Sequence, residues 1–556
     1  MASQTSPILY ILLSYFLFSA TIPPSSSSSS ASSSFFIPTN YHSSICHSTP
    51  SPAHCTEASK LTIPPGLTTP VTKTIPTLPI DPVVLVLVRQ ILQQAYTAAV
   101  KLNATIATLE SSGIVETQKG TILDCKELHL ITLDLLQSCI TLTSSQKSDQ
   151  RVVRIYLSAA LANKETCLEG MLTASGPFKL VFIADLESLY LIVRKALFVL
   201  STGKAVTENW RRRLMGISGG FPEWLSRKDR RLLQSSGTGG YDASSIITVA
   251  KDGSGNFTTV SDAIAAVPSK SNSRVVVYVK EGIYDEIVEI PSSKQFVALL
   301  GDGMWRTVIT GNRSVGDGWT TYSSATLAVS GTGFLARDLT IINTAGAVKH
   351  QAVALRVNAD LSAIFRCSMV GFQDTLYVHS LRQFYRESVI AGTVDFIFGD
   401  AAVVFQVSQL VSRKPMDGQF NTITAQGRSD PNENTGISID NCTILPDTEL
   451  AASLSSFKTY FGRPWRNYSR TVVMTSYVER HVDPSGWTPW SGDDGLSTLY
   501  YGEYSNIGPG ANTDGRVTWA GFHTMTYEDA TNFTVPNLIL GDQWLDSTAV
   551  PYDTGV

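Results

Sequence analysis

Three related runs recur in the second half of this chain: Gln351-Ala-Val-Ala-Leu355, Gln373-Asp-Thr-Leu-Tyr377 and Asp395-Phe-Ile-Phe398. They follow one another at intervals near 21 to 23 residues. This interval fits one coil of a parallel β-helix, in which each coil buries its apolar face only by stacking on the next. We therefore expect a right-handed parallel β-helix around these runs.

The same all-β pattern extends from Ile246 towards the end of the chain. Short β-branched runs are broken there by Gly, Asn and Asp, and helical periodicity is nearly absent. Such strands alone allow a sandwich, a barrel or a solenoid, and the repeat interval favours the solenoid. We assign residues 243–556 to this domain, with strands expected at Val275–Val279, Phe296–Leu300, Leu339–Ile342, Ala401–Phe405 and Thr471–Met474.

The first half of the chain has a helical pattern. Asp81-Pro82 places a capping residue before a proline at the first helical position, and apolar residues follow at helical spacing. Similar patterns cover about residues 120–143, 150–173 and 182–200. Four such segments predict an all-α four-helix bundle over residues 81–200.

The N-terminus has the features of a secretory signal peptide, which we assign to residues 1–24. Its apolar run, Ile8–Ala20, ends in small residues and is too short to span a bilayer comfortably. A type II membrane anchor is the alternative. Residues 25–80 are rich in Ser, Thr and Pro and are interpreted as a tether. We expect a secreted chain without stable membrane association after signal removal, and its Asn-x-Ser/Thr sequons are compatible with glycosylation.

A basic linker is predicted at residues 201–242. It is rich in Gly and Ser and contains the clusters Arg211-Arg-Arg213 and Arg230-Arg231. Exposed multibasic sites in a secreted chain favour cleavage by a processing protease in the Arg213 or Arg231 region. The alternative is a solvated linker that is not cleaved.

The charge of the chain does not point to a nucleic-acid partner. With 43 basic and 47 acidic residues among 556, the net charge is only -4. The charge is unevenly distributed, since residues 1–234 carry 21 basic and 15 acidic side chains and residues 235–556 carry 22 and 32. These two parts, at +6 and -10, could attract each other.

Seven cysteines are too few to form a disulfide scaffold in a chain of this length. Cys46 and Cys55 could close a short loop, Cys125 and Cys167 could tie two helices, and Cys139 would be left over. No Cys or His cluster has the spacing of a zinc site, so we expect no metal.

The repeated runs also bring chemistry together. With one coil of about 22 residues, Gln351, Gln373-Asp374 and Asp395 fall at nearly equivalent positions on three successive coils. Adjacent coils are about 4.8 Å apart, so two half-buried carboxylates cannot both ionise at little cost and one should hold a proton. The pair supplies an acid and a nucleophile, and the carboxamides can donate hydrogen bonds to an oxyanion.

Five segments resemble, in the family's order, the signature segments of plant pectinesterases: Gly282-Ile-Tyr-Asp-Glu286, Gln351-Ala-Val-Ala-Leu-Arg356, Gly371-Phe-Gln-Asp-Thr-Leu-Tyr-Val-His379, Gly392-Thr-Val-Asp-Phe-Ile-Phe-Gly399 and Gly462-Arg-Pro-Trp465. The resemblance covers about residues 245–550. The helical part, with the segment Leu161-Ala-Asn-Lys-Glu-Thr-Cys167, resembles the pectinesterase-inhibitor domain that precedes the enzyme in many such precursors. This second resemblance implies structural disulfides in the pairs Cys46/Cys55 and Cys125/Cys167.

The resemblance implies hydrolysis of the methyl esters of homogalacturonan. Asp395 would attack the ester carbonyl to give an acyl-enzyme, while Asp374 would protonate the departing methanol and then deprotonate water. Gln373, with Gln351, would stabilise the tetrahedral oxyanion. Arg463 would pair with the nucleophile and keep it anionic.

The resemblance also implies the partners and the location. Six side chains would contact substrate: Thr321, Gln351, Tyr377, Phe398, Arg463 and Trp465. No metal or organic cofactor is implied. The partners would be methyl-esterified pectin and the chain's own inhibitor-like bundle, which would cover the groove until processing in the extracellular cell wall.

Two departures from the family pattern have structural consequences. Many relatives have a cysteine where this chain has Ser388, so we expect Cys367 and Cys442 to be buried and unpaired. Asp400 stands where an Asn is common, which adds a charge near the site and could shift the pH optimum.

Other interpretations stay open. A polygalacturonase-type glycoside hydrolase on the same fold would use two carboxylates on a sugar, and a catalytically inactive chain would act only as an inhibitor or binding protein. His379 is interpreted as structural despite its closeness to Asp374. Gly216-Ile-Ser218-Gly-Gly220 has the Gly-x-Ser-x-Gly pattern of serine esterases but lacks the flanking strand and helix that this motif needs.

Overall fold

The computed structural model describes residues 82–109, 113–144, 149–202 and 246–556. The predicted signal peptide, the tether with Cys46 and Cys55, the Asp81 cap, both arginine clusters and the Gly216–Gly220 motif lie outside these residues. None of the helices in the described ranges combines the length and apolar character needed to cross a membrane.

The predicted four-helix bundle is confirmed, and its helices are α1 (Pro82–Ala107), α2 (Thr121–Thr143), α3 (Gln150–Thr173) and α4 (Lys179–Thr202). The helices pack on a shared apolar core, into which α1 places Val88, Leu92 and Ala99 with no exposed surface. A disulfide joins Cys125 of α2 to Cys167 of α3. This bond ties together two of the helices that contact the C-terminal domain.

The C-terminal domain is built from short strands, which in chain order are β1 (Ile247–Val249), β2 (Val275–Val279), β3 (Gly282–Asp285), β4 (Val288–Ile290), β5 (Val297–Gly301), β6 (Thr307–Gly311), β7 (Leu327–Val329), β8 (Leu335–Arg337), β9 (Thr340–Asn343), β10 (Leu355–Val357), β11 (Ser362–Phe365), β12 (Ser368–Val370), β13 (Leu376–Val378), β14 (Arg382–Arg386), β15 (Val389–Gly392), β16 (Ile397–Gly399), β17 (Ala402–Gln406), β18 (Gln409–Ser412), β19 (Asn421–Gln426), β20 (Gly436–Asp440), β21 (Thr443–Pro446), β22 (Thr459–Gly462), β23 (Arg470–Met474), β24 (Tyr477–Val478), β25 (Tyr500–Tyr504) and β26 (Phe522–Thr524). Four short helices accompany them: α5 (Val260–Ala266), α6 (Thr448–Ala451), α7 (Tyr527–Thr531) and α8 (Val535–Leu538).

The strands form three parallel sheets of a right-handed β-helix, as predicted. The first sheet has eleven strands in the order β1-β2-β5-β8-β11-β14-β17-β20-β23-β25-β26. The second has the order β22-β19-β16-β13-β10-β7-β4, and the third has the order β24-β21-β18-β15-β12-β9-β6-β3. Successive coils therefore stack strand on strand, so one position on each coil has a direct neighbour above and below.

Single left-handed residues make the turns between the first and third sheets. They are Asp338, Arg366, Glu387, Val407, Asn441, Thr475 and Ser505. A left-handed residue at a different turn, between the second and first sheets, explains a small error in one predicted strand. Val275–Val279 has the predicted bounds, whereas β5 begins one residue later than expected because Phe296 has a φ of 55° and cannot belong to a strand.

The interior of the β-helix is a continuous apolar core. Tyr385 and Phe405 of neighbouring coils stack inside it with their ring centroids 4.7 Å apart. Cys367 and Cys442 are buried and, among the described residues, are free thiols, as expected. The core thus holds the coils rigidly without a disulfide there.

Candidate active site

Two aspartates occupy equivalent turns on adjacent coils. Asp374 lies between β12 and β13, and Asp395 lies between β15 and β16. Leu376 follows Asp374 by two residues, Ile397 follows Asp395 by two residues, and these two residues pair in register. Both have a left-handed backbone, with φ of 62° and 51°. Such a conformation costs a non-glycine residue roughly 1 kcal/mol or more. The coils impose it twice, which places the two backbone positions about one strand spacing, or ~4.8 Å, apart.

Asp395 is held in an ion pair and a hydrogen bond. Arg463, directly after β22, donates from Nε to Oδ1 at 2.8 Å and from Nη2 to Oδ2 at 2.6 Å. Thr422 Oγ1 donates to Oδ1 at 2.6 Å. A bidentate guanidinium favours the ionised carboxylate and fixes its plane. Asp395 therefore presents an oriented, negatively charged oxygen to the cavity.

Asp374 has the opposite electrostatics. Burial raises the pKa of its carboxyl well above the usual range, the charge of Asp395 raises it further, and Arg463 opposes the shift. Glu169 of α3 adds a smaller contribution in the same direction as Asp395. One carboxyl of the stacked pair is thus protonated beside its anionic neighbour, which is the arrangement of a general acid next to a nucleophile.

The two glutamines take different positions relative to this pair. A coil spans 21 residues here, since Leu355 pairs with Leu376. A 22-residue coil would make Gln351 equivalent to Gln373, but with 21 residues Gln351 lies one position before the equivalent residue. The backbone N–H of Ala352 donates to the carbonyl oxygen of Gln373 at 3.2 Å. Both glutamine side chains nevertheless line the same cavity as the aspartates.

A cavity of about 370 Å³ brings together all the residues to which a role on substrate was assigned from the sequence. They are Thr321, Gln351, Gln373, Asp374, Tyr377, Asp395, Phe398, Arg463 and Trp465. The geometry places the two carboxyls, the guanidinium and the two carboxamides around one volume. This volume has room for a sugar residue and its ester group.

An aromatic wall borders the two carboxyls. Tyr377 and Phe398 are paired in register on β13 and β16 and stack with their centroids 4.1 Å apart. Trp465 meets Phe398 edge-on at 5.9 Å. Gly427 permits this approach, because a Cβ at that position would lie 2.9 Å from the Trp465 ring. Tyr377 and Phe398 are buried in the intact chain, where they pack with the core of the bundle.

The bundle closes the cavity from the other side. Thr166 of α3 contacts Tyr377 Oη at 3.2 Å and His379 Nε2 at 3.0 Å. Asp124 of α2 accepts hydrogen bonds from Thr320 Oγ1 at 2.5 Å and from Ser323 Oγ at 2.6 Å. Asp124 and Thr166 belong to the set of bundle residues that line the cavity: Gln118, Thr121, Asp124, Thr166, Glu169, Gly170 and Thr173.

Charge pairs reinforce the contact. Glu169 forms an ion pair with Arg466, which follows Trp465 in the β-helix domain. Glu127 lies 3.8 Å from Arg356 and accepts a hydrogen bond from Ser330 Oγ at 2.6 Å. The bundle therefore places carboxylates on two basic side chains of the β-helix domain.

Sequence reasoning missed one residue that lines the cavity, Trp490, and one buried residue near it, Arg356. Arg356 pairs with Tyr377 in register, stacks 3.4 Å from the centroid of Tyr322, and among the described residues finds no hydrogen-bond partner for Nε or Nη1. It lies within a motif quoted for the resemblance but was given no role. Trp490 lines the cavity with its ring 4.3 Å from the Arg463 guanidinium. It lies outside the five segments, so no sequence signal marks it.

His379 and Asp400 are buried beside the site. The His379 ring contacts Ser380 and Thr166, and burial lowers its pKa well below the usual value. Asp400 accepts hydrogen bonds from Gln426 at 2.9 Å and Thr435 at 2.5 Å, while burial raises its pKa. Neither side chain lines the cavity. In the described ranges, no group of His, Cys, Asp and Glu side chains is arranged to hold a metal ion.

Comparison with known proteins matches both domains. Residues 246–542 match the family model described as Pectinesterase, and residues 40–185 match that of Plant invertase/pectin methylesterase inhibitor. The probable pectinesterase/pectinesterase inhibitor 12 of Arabidopsis thaliana is 50% identical over 92% of this chain and 93% of the relative. A pectinesterase/pectinesterase inhibitor of Ficus pumila var. awkeotsang is 47% identical over 79% of this chain and 80% of its own.

A solved structure supports the fold of the C-terminal domain. The pectin methylesterase from carrot matches with a TM-score of 0.56 and 52% identity. The match covers 58% of this chain and 100% of the carrot chain. The β-helix domain alone thus corresponds to a complete protein.

Proposed function

Because the chain belongs to the pectinesterase family and is a carboxylic ester hydrolase, we propose that its cavity hydrolyses methyl esters of homogalacturonan with Asp395 as the nucleophile. One observation carries this assignment of roles. Asp395 is held in a bidentate ion pair, whereas its stacked neighbour Asp374 has a raised pKa and no such partner. The two carboxyls therefore differ in protonation as acyl transfer requires.

The first half of the reaction forms an acyl-enzyme. An Asp395 oxygen attacks the ester carbonyl, and the carbonyl oxygen becomes an oxyanion that accepts hydrogen bonds from the carboxamides of Gln373 and Gln351. The C–O bond to the methoxy group then breaks, and Asp374 gives its proton to the departing methanol. Arg463 keeps the attacking oxygen oriented.

The second half restores both carboxyls. Asp374, now ionised, takes a proton from water, and the resulting hydroxide attacks the acyl carbon. The bond to Asp395 breaks, which restores the Asp395 carboxylate and releases the galacturonic acid carboxyl, whose proton passes to the solvent. Throughout, the sugar face is held by the aromatic rings of Tyr377, Phe398 and Trp465. Thr321 contacts the polysaccharide on the other side of the cavity.

The bundle is proposed to be an intramolecular inhibitor. It lines the cavity from α2 and α3 and pairs its carboxylates with Arg356 and Arg466. A polymer of sugars cannot enter while these helices are docked. We propose that the precursor is secreted to the cell wall, loses its signal peptide, and is cut by a protease in the Arg213 or Arg231 region to release the β-helix domain.

Product analysis tests the assignment. A fragment that begins at Gln234 should release methanol from methylated pectin without shortening the polymer. Loss of chain length without methanol would instead support a polygalacturonase, and no turnover would support an inactive binding protein. Asp395→Asn should lower the rate on the order of 10³-fold or more. An Asp395→Asn fragment with wild-type activity would refute the proposed nucleophile.

A further inference from the structure

A second cavity of about 700 Å³ lies where α3, the β-helix and the C-terminal helices meet. It shares no lining residue with the candidate active site. Four arginines line it: Arg151, Arg154, Arg428 and Arg470. So many cations around one volume need a physical explanation, because like charges repel.

Three of the four arginines are held by neutral groups rather than by carboxylates, whereas Arg151 forms an ion pair with Asp149 at 2.7 Å. Arg154 donates from Nη2 to the carbonyl oxygen of Asn432 at 2.8 Å, and its buried Nε has no hydrogen-bond partner among the described residues. Arg470 donates from Nε to the carbonyl oxygen of Thr435 at 2.6 Å. In the described ranges, no carboxylate oxygen lies within 4.0 Å of the guanidinium groups of Arg154, Arg428 and Arg470.

The uncompensated charge is visible in the electrostatics. Burial lowers the pKa of Arg470 to about 9, and the charges of Arg428 and Arg154 lower it further, against the attraction of Asp400 and Glu433. The one carboxylate among the lining residues, Asp529, is engaged by Thr526, whose N and Oγ1 donate to it at 3.0 and 2.8 Å. The cavity therefore retains an excess of positive charge.

One wall of the cavity is aromatic. Tyr500 and Phe533 stack with their centroids 5.5 Å apart, and the Arg470 guanidinium lies 5.9 Å from the Phe533 ring. Guanidinium donors bind carboxylates, and an aromatic face binds the apolar face of a sugar. Together they match a sugar acid better than a simple inorganic anion.

We propose that this cavity is a second binding site for de-esterified oligogalacturonate. The choice of this anion rests on the proposed function, which produces free galacturonate carboxylates, and on the aromatic wall. Arg154 comes from the bundle and Arg470 from β23, so a bound uronate bridges the two domains. The product of the reaction thereby stabilises the docked bundle.

Calorimetry on the full chain tests the site with trigalacturonate as the probe. Arg154→Gln should weaken binding at least tenfold, whereas Arg480→Gln should leave it unchanged, because the Arg480 side chain is 76% exposed and lies outside the cavity. Thermal unfolding of each variant checks its folding. If Arg154→Gln does not fold, Arg151→Gln, on the same helix and wall, replaces it.

Two further ligands decide the chemistry. The fully methyl-esterified trisaccharide should bind at least tenfold more weakly, and inorganic phosphate should bind more weakly than trigalacturonate. Equal binding of the ester, phosphate binding as tight as that of the uronate, or unchanged affinity in Arg154→Gln would each overturn the proposal. The Asp395→Asn chain should bind trigalacturonate normally, so a wrong catalytic assignment would not be mistaken for a missing second site.

Discussion

Asp374 and Asp395 hold the same left-handed backbone conformation, with φ of 62° and 51°, on neighbouring coils of the β-helix. The repeat of the fold therefore places the two carboxyls one above the other, and a single arginine makes them unequal. Arg463 binds Asp395 on both oxygens, while burial and the neighbouring charge keep the proton on Asp374. The difference between two chemically identical groups is thus produced by their partners.

Replacing Arg463 by lysine should separate charge from geometry. Lysine keeps the positive charge but cannot make the two parallel hydrogen bonds to Asp395. We expect kcat for methanol release by the β-helix fragment to fall about 10²-fold, with a smaller change in KM. Arg480→Lys serves as the matched control. A variant with at least half of the wild-type kcat would show that bidentate orientation is unnecessary.

Docking of the bundle should weaken as pH rises. In the intact chain, burial raises the pKa of Asp124 from 3.8 to about 7, against hydrogen bonds from Ser323 and Thr320 that lower it. The Asp124 carboxyl thus binds a proton more tightly in the docked state than in the undocked state, so protonation favours docking. This favourable contribution is complete at pH below about 4 and is lost as the pH rises to about 7. The residual activity of the intact chain, divided by that of the fragment, should therefore rise at least severalfold from pH 5 to pH 8.

Asp124→Asn provides the control for this pH dependence. An asparagine keeps one acceptor oxygen for these hydroxyls and replaces the other oxygen by an NH2 donor, but it does not titrate. The ratio of intact-chain to fragment activity should then change much less between pH 5 and pH 8. If the ratio in Asp124→Asn rises as steeply as in the wild type, another group controls docking.

Arg356 should contribute to binding of partly de-esterified substrate. Its Nε and Nη1 have no hydrogen-bond partner among the described residues, and withdrawal of the bundle removes the nearby Glu127 carboxylate, so we expect a free carboxylate of the polymer to take that place. Arg356→Gln in the fragment should raise KM about tenfold on partly de-esterified pectin. On fully esterified pectin the change should be small. Equal changes on both substrates would indicate a structural role instead.

Gly399 should be needed for stability of the site. It has a φ of 128°, and a Cβ there would overlap the carbonyl oxygen of Val378 on the adjacent coil. Gly399→Ala should lower the free energy of unfolding by more than about 2 kcal/mol. Gly318→Ala is the matched control, because its φ is 87° but no atom lies within 4 Å of the added Cβ. Chemical denaturation of the fragment that gave equal losses would contradict a steric cause.

Much of the fold could be predicted because it depends on periodicity. The apolar spacing from Val88 to Ala99 marks a helix, and the 21- to 23-residue interval marks the coils. Strand ends were less accurate, since the left-handed conformation of a residue such as Phe296 has no signature in its side chain. Gln351 is offset by one position because the length of a coil varies locally and is 21 residues here.

The residues of the site could be predicted from the sequence only where they lie in recognisable motifs. The roles given to Asp374, Asp395 and Arg463 came from local segments, and the fold then placed these side chains together. Trp490 and the environment of Arg356 could not be predicted, because their importance comes from contacts between distant parts of the chain. The lining contributed by Thr166 requires the docked arrangement of two domains, which no single segment encodes.

The most direct test measures whether the two stacked aspartates act as one unit. Methanol release from methylated pectin should be followed for fragments carrying Asp374→Asn, Asp395→Asn and both changes. We predict that each single change lowers kcat by about 10³-fold or more and that the double variant is no worse than the poorer single one. Either single variant with more than about a tenth of wild-type activity would contradict the account, as would a double variant whose losses multiply.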